Sequence, residues 1–210
     1  MIKQNFHRSL LAQIYTQQPL ALILIGGCAR VGKTTGCQQI MNGCREQSIP
    51  TLYVPLDAWI VSVEKRPVNS TVLDRYEGSK ICEGLSKLLK GQTIYPPVYD
   101  PITRTRVKEK SETPLFLGQG LIFAEGVMAL AYPELRELAT LCLYLSLSDS
   151  IRLQRLSDFY LNQKGFTLQQ AQQLIEKREQ EEIPVIKKTQ LWADYVIQMD
   201  DYDEEITLDC

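Results

Sequence analysis

Two rhythms of apolar residues alternate along the chain. Short apolar runs (Leu20–Ile25, Thr51–Leu56, Leu121–Ala124, Leu141–Leu147, Tyr195–Met199) have the length and content of buried strands. Between them lie longer stretches in which apolar residues return every three or four positions. Residues 2–17 carry Ile2, Phe6, Leu10, Leu11 and Ile14 at that spacing, and Pro19 closes the stretch. This helix packs on the domain or forms a homo-oligomer seam. Further helices are expected from Thr34 to about Gln47, and from Leu73 to Leu89 with Gly91 as the stop. Others follow at Pro133–Ala139, from Ser150 to about Gln163 with Asp149 as cap, and from Thr167 to about Glu182. Pro55 argues that Thr51–Leu56 is an edge strand. Residues 92–114, rich in proline and opening with tyrosines, read as a loop or hairpin insertion beside the active site. The acidic tail Asp200–Asp209 reads as frayed. Strands alternating with helices imply an α/β fold, with a parallel sheet covered on both faces and ligands beyond the C-terminal strand ends. No repeat or linker divides the chain, so residues 1–210 read as one domain.

Composition narrows the class. The chain has 210 residues, 44% of them hydrophobic and 23% charged, with a formal net charge of −2. That balance gives no global electrostatic case for nucleic acid or an anionic membrane. The apolar runs are too short to span a bilayer, and no signal-peptide pattern opens the chain. The six cysteines have no C-x-x-C spacing and read as reduced, buried small residues of a cytoplasmic protein. The single histidine, His7, excludes a histidine metal cluster.

The chemistry starts after the first strand. Gly27, Gly32, Lys33 and Thr34 fit G-x-x-x-x-G-K-[ST], with a strand before and a helix after. Glycines let the main chain approach phosphate oxygens, and successive N–H groups form a nest at a helix N-terminus. The expected nucleotide-binding stretch is therefore Gly27, Cys28, Ala29, Arg30, Val31, Gly32, Lys33, Thr34 and Thr35. Lys33 reaches the outer phosphates, and the Thr34 hydroxyl holds Mg2+. No guanine-reading N/T-K-x-D motif is present, and no strand ends in Asp-Glu as motor ATPases often do. Instead one strand ends at a lone Asp57 and another at Glu125. Phosphoryl transfer needs mainly positioning and charge stabilisation. A carboxylate facing the acceptor can orient its hydroxyl and take the proton. Asp57 is the candidate base, and Glu125 supports Mg2+ through water. The implied cofactors are ATP and Mg2+, and the implied partner is a small-molecule acceptor.

The order GGCARVGKTT, VPLDAW, PPVYDPITRTR, LIFAEGVMAL and WADYVI resembles the uridine kinase/phosphoribulokinase family over about residues 20–199. The resemblance implies a P-loop three-layer sandwich whose five-stranded parallel sheet runs 2-3-1-4-5, under a helical lid at about 150–182. It places the base at Asp57 and the family's Glu at Glu125, and it makes Tyr99 an aromatic of the acceptor pocket. The R-x-x-R of the family's lid falls on Arg152 and Arg155. Arg155 is expected to face the transferring phosphoryl, and Arg178 stands in for lid arginines that are absent near Leu156, Phe159 and Tyr160. The chain also departs from the family. Arg30 replaces a small loop residue, Arg104 stands where uridine kinases carry a histidine, and the ribose-gripping Asp-His-Pro has no clear counterpart in Ser70–Glu77. Arginine binds carboxylate or phosphate bidentately. Arg104, Arg106 and Arg66 thus raise an alternative, a kinase for an anionic acceptor. A second alternative is an ATP-binding regulatory protein with no acceptor.

Overall fold

The computed structural model describes residues 2–199 and 206–209. At its centre is β1 (Leu20–Gly26), whose residues 21–26 are all buried. Along this strand successive side chains point to opposite faces, so a run of apolar residues needs cover on both. Ala21, Ile23 and Ile25 enter one core with Phe123 of β5 (Gly120–Glu125) and Leu143 of β6 (Leu141–Ser146). That core is covered by α1 (Ile2–Gln17), through Leu11 and Ile14, and by α2 (Lys33–Glu46), through Cys37, Ile40 and Met41. Leu22 and Leu24 enter a second core with Ile122, capped by Ile81, Leu85 and Leu88 of α3 (Gly78–Leu89) and by Leu135 of α4 (Pro133–Leu138). Fully burying one such side chain contributes about 1.5–3 kcal/mol.

With β2 (Thr51–Pro55) and β7 (Tyr195–Met199), these strands form a parallel sheet in the order β2-β5-β1-β6-β7. In the five-strand count of the sequence this is the expected 2-3-1-4-5, with β2 at the edge as Pro55 implied. Register brings the strand ends level. Glu125 lies opposite both Ile25 and Pro55, so the phosphate loop, Glu125 and Asp57 leave the sheet side by side.

The insertion at 92–114 contains a hairpin of β3 (Val98–Asp100) and β4 (Thr105–Lys108). The stretch in which the helical lid is expected forms α5 (Asp149–Asp158), a π-helical turn over Phe159–Gln163, and α6 (Leu168–Glu181), around a small core of Leu156, Tyr160 and Ala171. Thr167 caps α6 in a reciprocal capping box with Gln170.

Three local expectations need correction, and one short helix was not foreseen. Ser148, not Asp149, precedes α5; the Asp149 carboxylate instead takes Lys187 and Arg152. The Leu73–Leu89 stretch is split, with a 3-10 turn at Leu73–Arg75 before α3 begins. A short helix, α7 (Ile183–Lys188), follows α6, with Pro184 in its first turn, where a missing N–H costs nothing. In the acidic tail, residues 200–205 and 210 lie outside the described residues. Ile206–Asp209 form β8, antiparallel to β7.

Candidate active site

The phosphate loop leaves β1 through Gly27, at φ 140°, where a methyl group would sit 2.4 Å from the Leu145 carbonyl oxygen. Only glycine fits there. Gly32, at φ 95°, precedes α2, so the helix presents its free N–H groups to the loop. Val31 and Cys28 are buried, with the Cys28 Sγ 3.5 Å from the Tyr144 hydroxyl. Their side chains turn into the core, so the loop presents backbone at these two positions. Thr34 and Thr35 are exposed on the first turn of α2.

Lys33 is buried, and its ammonium donates to the Cys28 carbonyl at 2.9 Å. Burial pushes its pKa down, while the charges of Glu125 and then Asp57 oppose the shift. The Thr34 hydroxyl donates to Glu125 Oε1 at 3.0 Å, and the Tyr53 hydroxyl donates to the same oxygen at 2.5 Å. Burial, followed by that bond to Glu125, raises the Tyr53 pKa. Tyr53 was not foreseen as a site residue; it reaches Glu125 across the neighbouring strand, a contact that exists only in the fold.

Asp57 lies in a 3-10 turn, Leu56–Trp59, at the end of β2. Its side chain is open to solvent, yet protein surrounds it on most sides, as expected for the wall of a cleft. Desolvation raises its pKa, with Lys33 opposing and Glu125 adding to the rise. The Tyr76 hydroxyl donates to Asp57 Oδ1 at 3.1 Å, which favours the charged carboxylate. Tyr76 was also unforeseen. Removing its donor should raise the Asp57 pKa further. Tyr76→Phe is therefore expected to move the acidic limb of kcat/KM to higher pH and leave the plateau rate nearly intact. A pH–rate profile checks this; an unmoved limb would separate Tyr76 from the titrating group.

Several of the arginines are engaged by other groups of the protein. Arg152 is 1% exposed and binds Glu179 at 2.6 Å and Asp149 at 3.3 Å, so it joins α5 to α6 instead of facing a phosphate. Arg106 is also occupied, by Glu77 at 2.6 Å, Glu109 at 3.4 Å and the Ile60 carbonyl at 3.1 Å. Arg66 donates to the Val61 carbonyl at 3.0 Å and to the Tyr99 hydroxyl at 3.4 Å. Arg178 lies 3.6 Å from Glu182 and 5.7 Å over the Tyr160 ring. Arg155 does face the loop: a methyl on Gly32 would lie 3.8 Å from its Nη1. Arg30 stacks on Phe159, 3.5 Å from the ring centroid, and so links the phosphate loop to the lid. Arg104 is exposed in the β3–β4 turn.

A glycine loop joining a strand to a helix, a buried lysine beneath it and two carboxylates at neighbouring strand ends define a P-loop kinase. The model of the phosphoribulokinase/uridine kinase family matches residues 22–203, and the chain belongs to that family. It is an ATP-dependent small-molecule kinase. The chain is 28% identical to a uridine kinase of Halalkalibacterium halodurans over 188 residues, 86% of each chain. It is 31% identical to a uridine kinase of Latilactobacillus sakei over 147 residues, 67% of each. Among solved structures, a D-glycerate 3-kinase from Cryptococcus neoformans superposes with a TM-score of 0.65 at 12% identity, covering 98% of this chain and 97% of the other. The phosphoribulokinase from Rhodobacter spheroides gives 0.62 at 11% identity, covering 86% and 70%. At such identities the likeness concerns the fold. Among the described residues, no helix is long and apolar enough to cross a membrane.

Proposed function

We propose that the protein transfers the γ-phosphoryl group of ATP to a hydroxyl of a small metabolite, with Asp57 as the base. The observation that carries this reading is geometric: Lys33 is tied to the glycine loop, Glu125 is bonded to Thr34 at 3.0 Å, and Asp57 follows the neighbouring strand whose Pro55 lies opposite Glu125. The loop N–H groups and Lys33 hold the triphosphate. Asp57, fixed through one oxygen by Tyr76, accepts the acceptor hydroxyl's hydrogen bond and then its proton. Its raised pKa brings it closer to the working range of a general base. Arg155 covers the phosphoryl group from the lid.

The Thr34 hydroxyl and the Glu125 carboxylate, already joined at 3.0 Å, suit Mg2+, which takes few protein ligands beside phosphate oxygens and water. The ion would neutralise charge on the transferring group. Tyr53 fixes the Glu125 carboxylate from the other side.

Acceptor-stimulated ADP release, measured over a metabolite panel with ATP and Mg2+, tests the reading. At least one hydroxyl compound should raise the rate and emerge phosphorylated. Nucleotide binding with no stimulation by any compound would favour a regulatory nucleotide-binding protein.

A further inference from the structure

We propose that the acceptor carries an anionic group, a phosphate ester or a carboxylate, and that Arg30 and Arg104 bind it. The proposal rests on the reading of this cleft as a phosphoryl-transfer site and names the class of its substrate.

The argument starts from how the protein treats its other arginines. Arg75 has Glu182, Arg106 has Glu77, Arg152 has Glu179, and Arg8 has Glu46. Arg66 and Arg136 donate to backbone carbonyls, and Arg45 donates to Asn42. Arg30 and Arg104 have no hydrogen-bond acceptor for their guanidinium groups among the described residues. Arg30 is steadied only by the Phe159 ring, an apolar face that orients the plane and leaves its N–H edges unused. Both residues stand at left-handed backbone angles, φ 68° and φ 60°, uncommon for long side chains. They come from separate segments, the phosphate loop and the hairpin turn.

These segments converge on the lid turn. Lys164 donates to the Pro101 carbonyl beside Arg104 and approaches the Phe159 ring that Arg30 covers. The Lys164 ammonium feels burial first, then attraction from Asp100 and repulsion from Arg104, Arg178 and Arg30. Arg66, beside Tyr99, is likewise repelled by Arg104. Of the acids in reach, Asp100 holds the hairpin turn through Ile102 and Thr103, and Glu182 is taken by Arg75 and Arg178. The Tyr160 hydroxyl is buried with no partner, and the charges of Arg178, Arg104 and Arg30 act on it. Arg30, Arg104, Lys164 and Arg178 outnumber the acids beside them, Asp100 and Glu182, so the cations repel one another and a bound anion relieves that repulsion. A neutral nucleoside would leave the two guanidinium groups unanswered.

The test compares acceptors of one size and different charge, with ADP release as the readout. Uridine and cytidine are the neutral probes, sugar monophosphates the phosphate-ester probes, and hydroxycarboxylates the carboxylate probes. Stimulation by an anionic set alone is expected, and the set that works identifies the source of the charge. Turnover of a neutral nucleoside at a kcat/KM equal to or above that of every anionic compound overturns the proposal. So does silence of both anionic sets. Arg104→Gly, which suits the left-handed backbone, should raise the acceptor KM by about 10- to 100-fold. The KM for ATP should stay within about twofold, since ATP contacts are left in place. An unchanged acceptor KM overturns the assignment of Arg104. The base assignment fails separately: full transfer by Asp57→Asn would remove Asp57 and leave the KM effect of Arg104 intact.

Discussion

Asp57→Asn should lower kcat by about 10²- to 10⁴-fold, the range that a positioned general base supplies. The substitution is close to isosteric, and the amide oxygen can still accept from Tyr76. The turn at Leu56–Trp59 has no structural reason to move. ATP affinity should therefore hold, because the loop and Lys33 stay in place and Glu125 still faces the lysine. Stability should follow the opposite sign from activity. Desolvation raises the folded-state pKa of Asp57, so ionisation there disfavours the fold at neutral pH. The neutral amide removes that cost, and Asp57→Asn should melt at or above the wild-type temperature near neutrality. As pH falls through the raised pKa toward the unfolded carboxyl value, the wild type takes up its proton and the difference should close. Single-turnover transfer and melting curves at several pH values measure both effects. Retention of the wild-type rate would end the base assignment. Loss of ATP binding would mean that the residue holds the cradle together.

How much of this site was legible in the sequence depended on distance along the chain. The phosphate loop is local, since its glycines, Lys33 and Thr34 are set by backbone demands within a few positions. Asp57 and Glu125 were legible as the residues at which apolar runs stop, and strand register does the rest by aligning Pro55 and Ile25 with Glu125. Arginine roles were not legible in that way. Arg152 and Arg155 share a helix face three residues apart, and spacing cannot say that Glu179, on another helix, claims one of them. Arg106 is lost to Glu77 for the same reason. Tyr53 and Tyr76 act on Glu125 and Asp57 through tertiary contacts that leave no pattern in the residues around them.

Lys33→Met is expected to cost about 10²- to 10³-fold in kcat, the loss seen when one preorganised charge is removed from a developing anion. Met keeps much of the length and apolar volume, so the loop has no cavity to close. Without a triphosphate the lysine is a buried cation that donates to the Cys28 backbone carbonyl. Burial depresses its pKa, and Glu125 and Asp57 only partly offset the cost. A lysine with a lowered folded pKa disfavours the fold at every pH below that value. The penalty fades as pH rises from the folded pKa toward about 10.5, the ordinary value for a lysine in the unfolded chain. The apo Lys33→Met protein should therefore melt no lower than wild type at neutral pH, and its advantage should shrink in alkali. ATP should reverse the order, because wild type gains a phosphate partner for the buried ammonium and the variant does not. Melting with and without ATP thus separates two uses of the residue. A variant already less stable without nucleotide would make Lys33 a structural tie of the loop. A variant that loses only the ATP-dependent gain leaves it as a charge stored for the phosphoryl group, held under strain that the fold tolerates until substrate arrives.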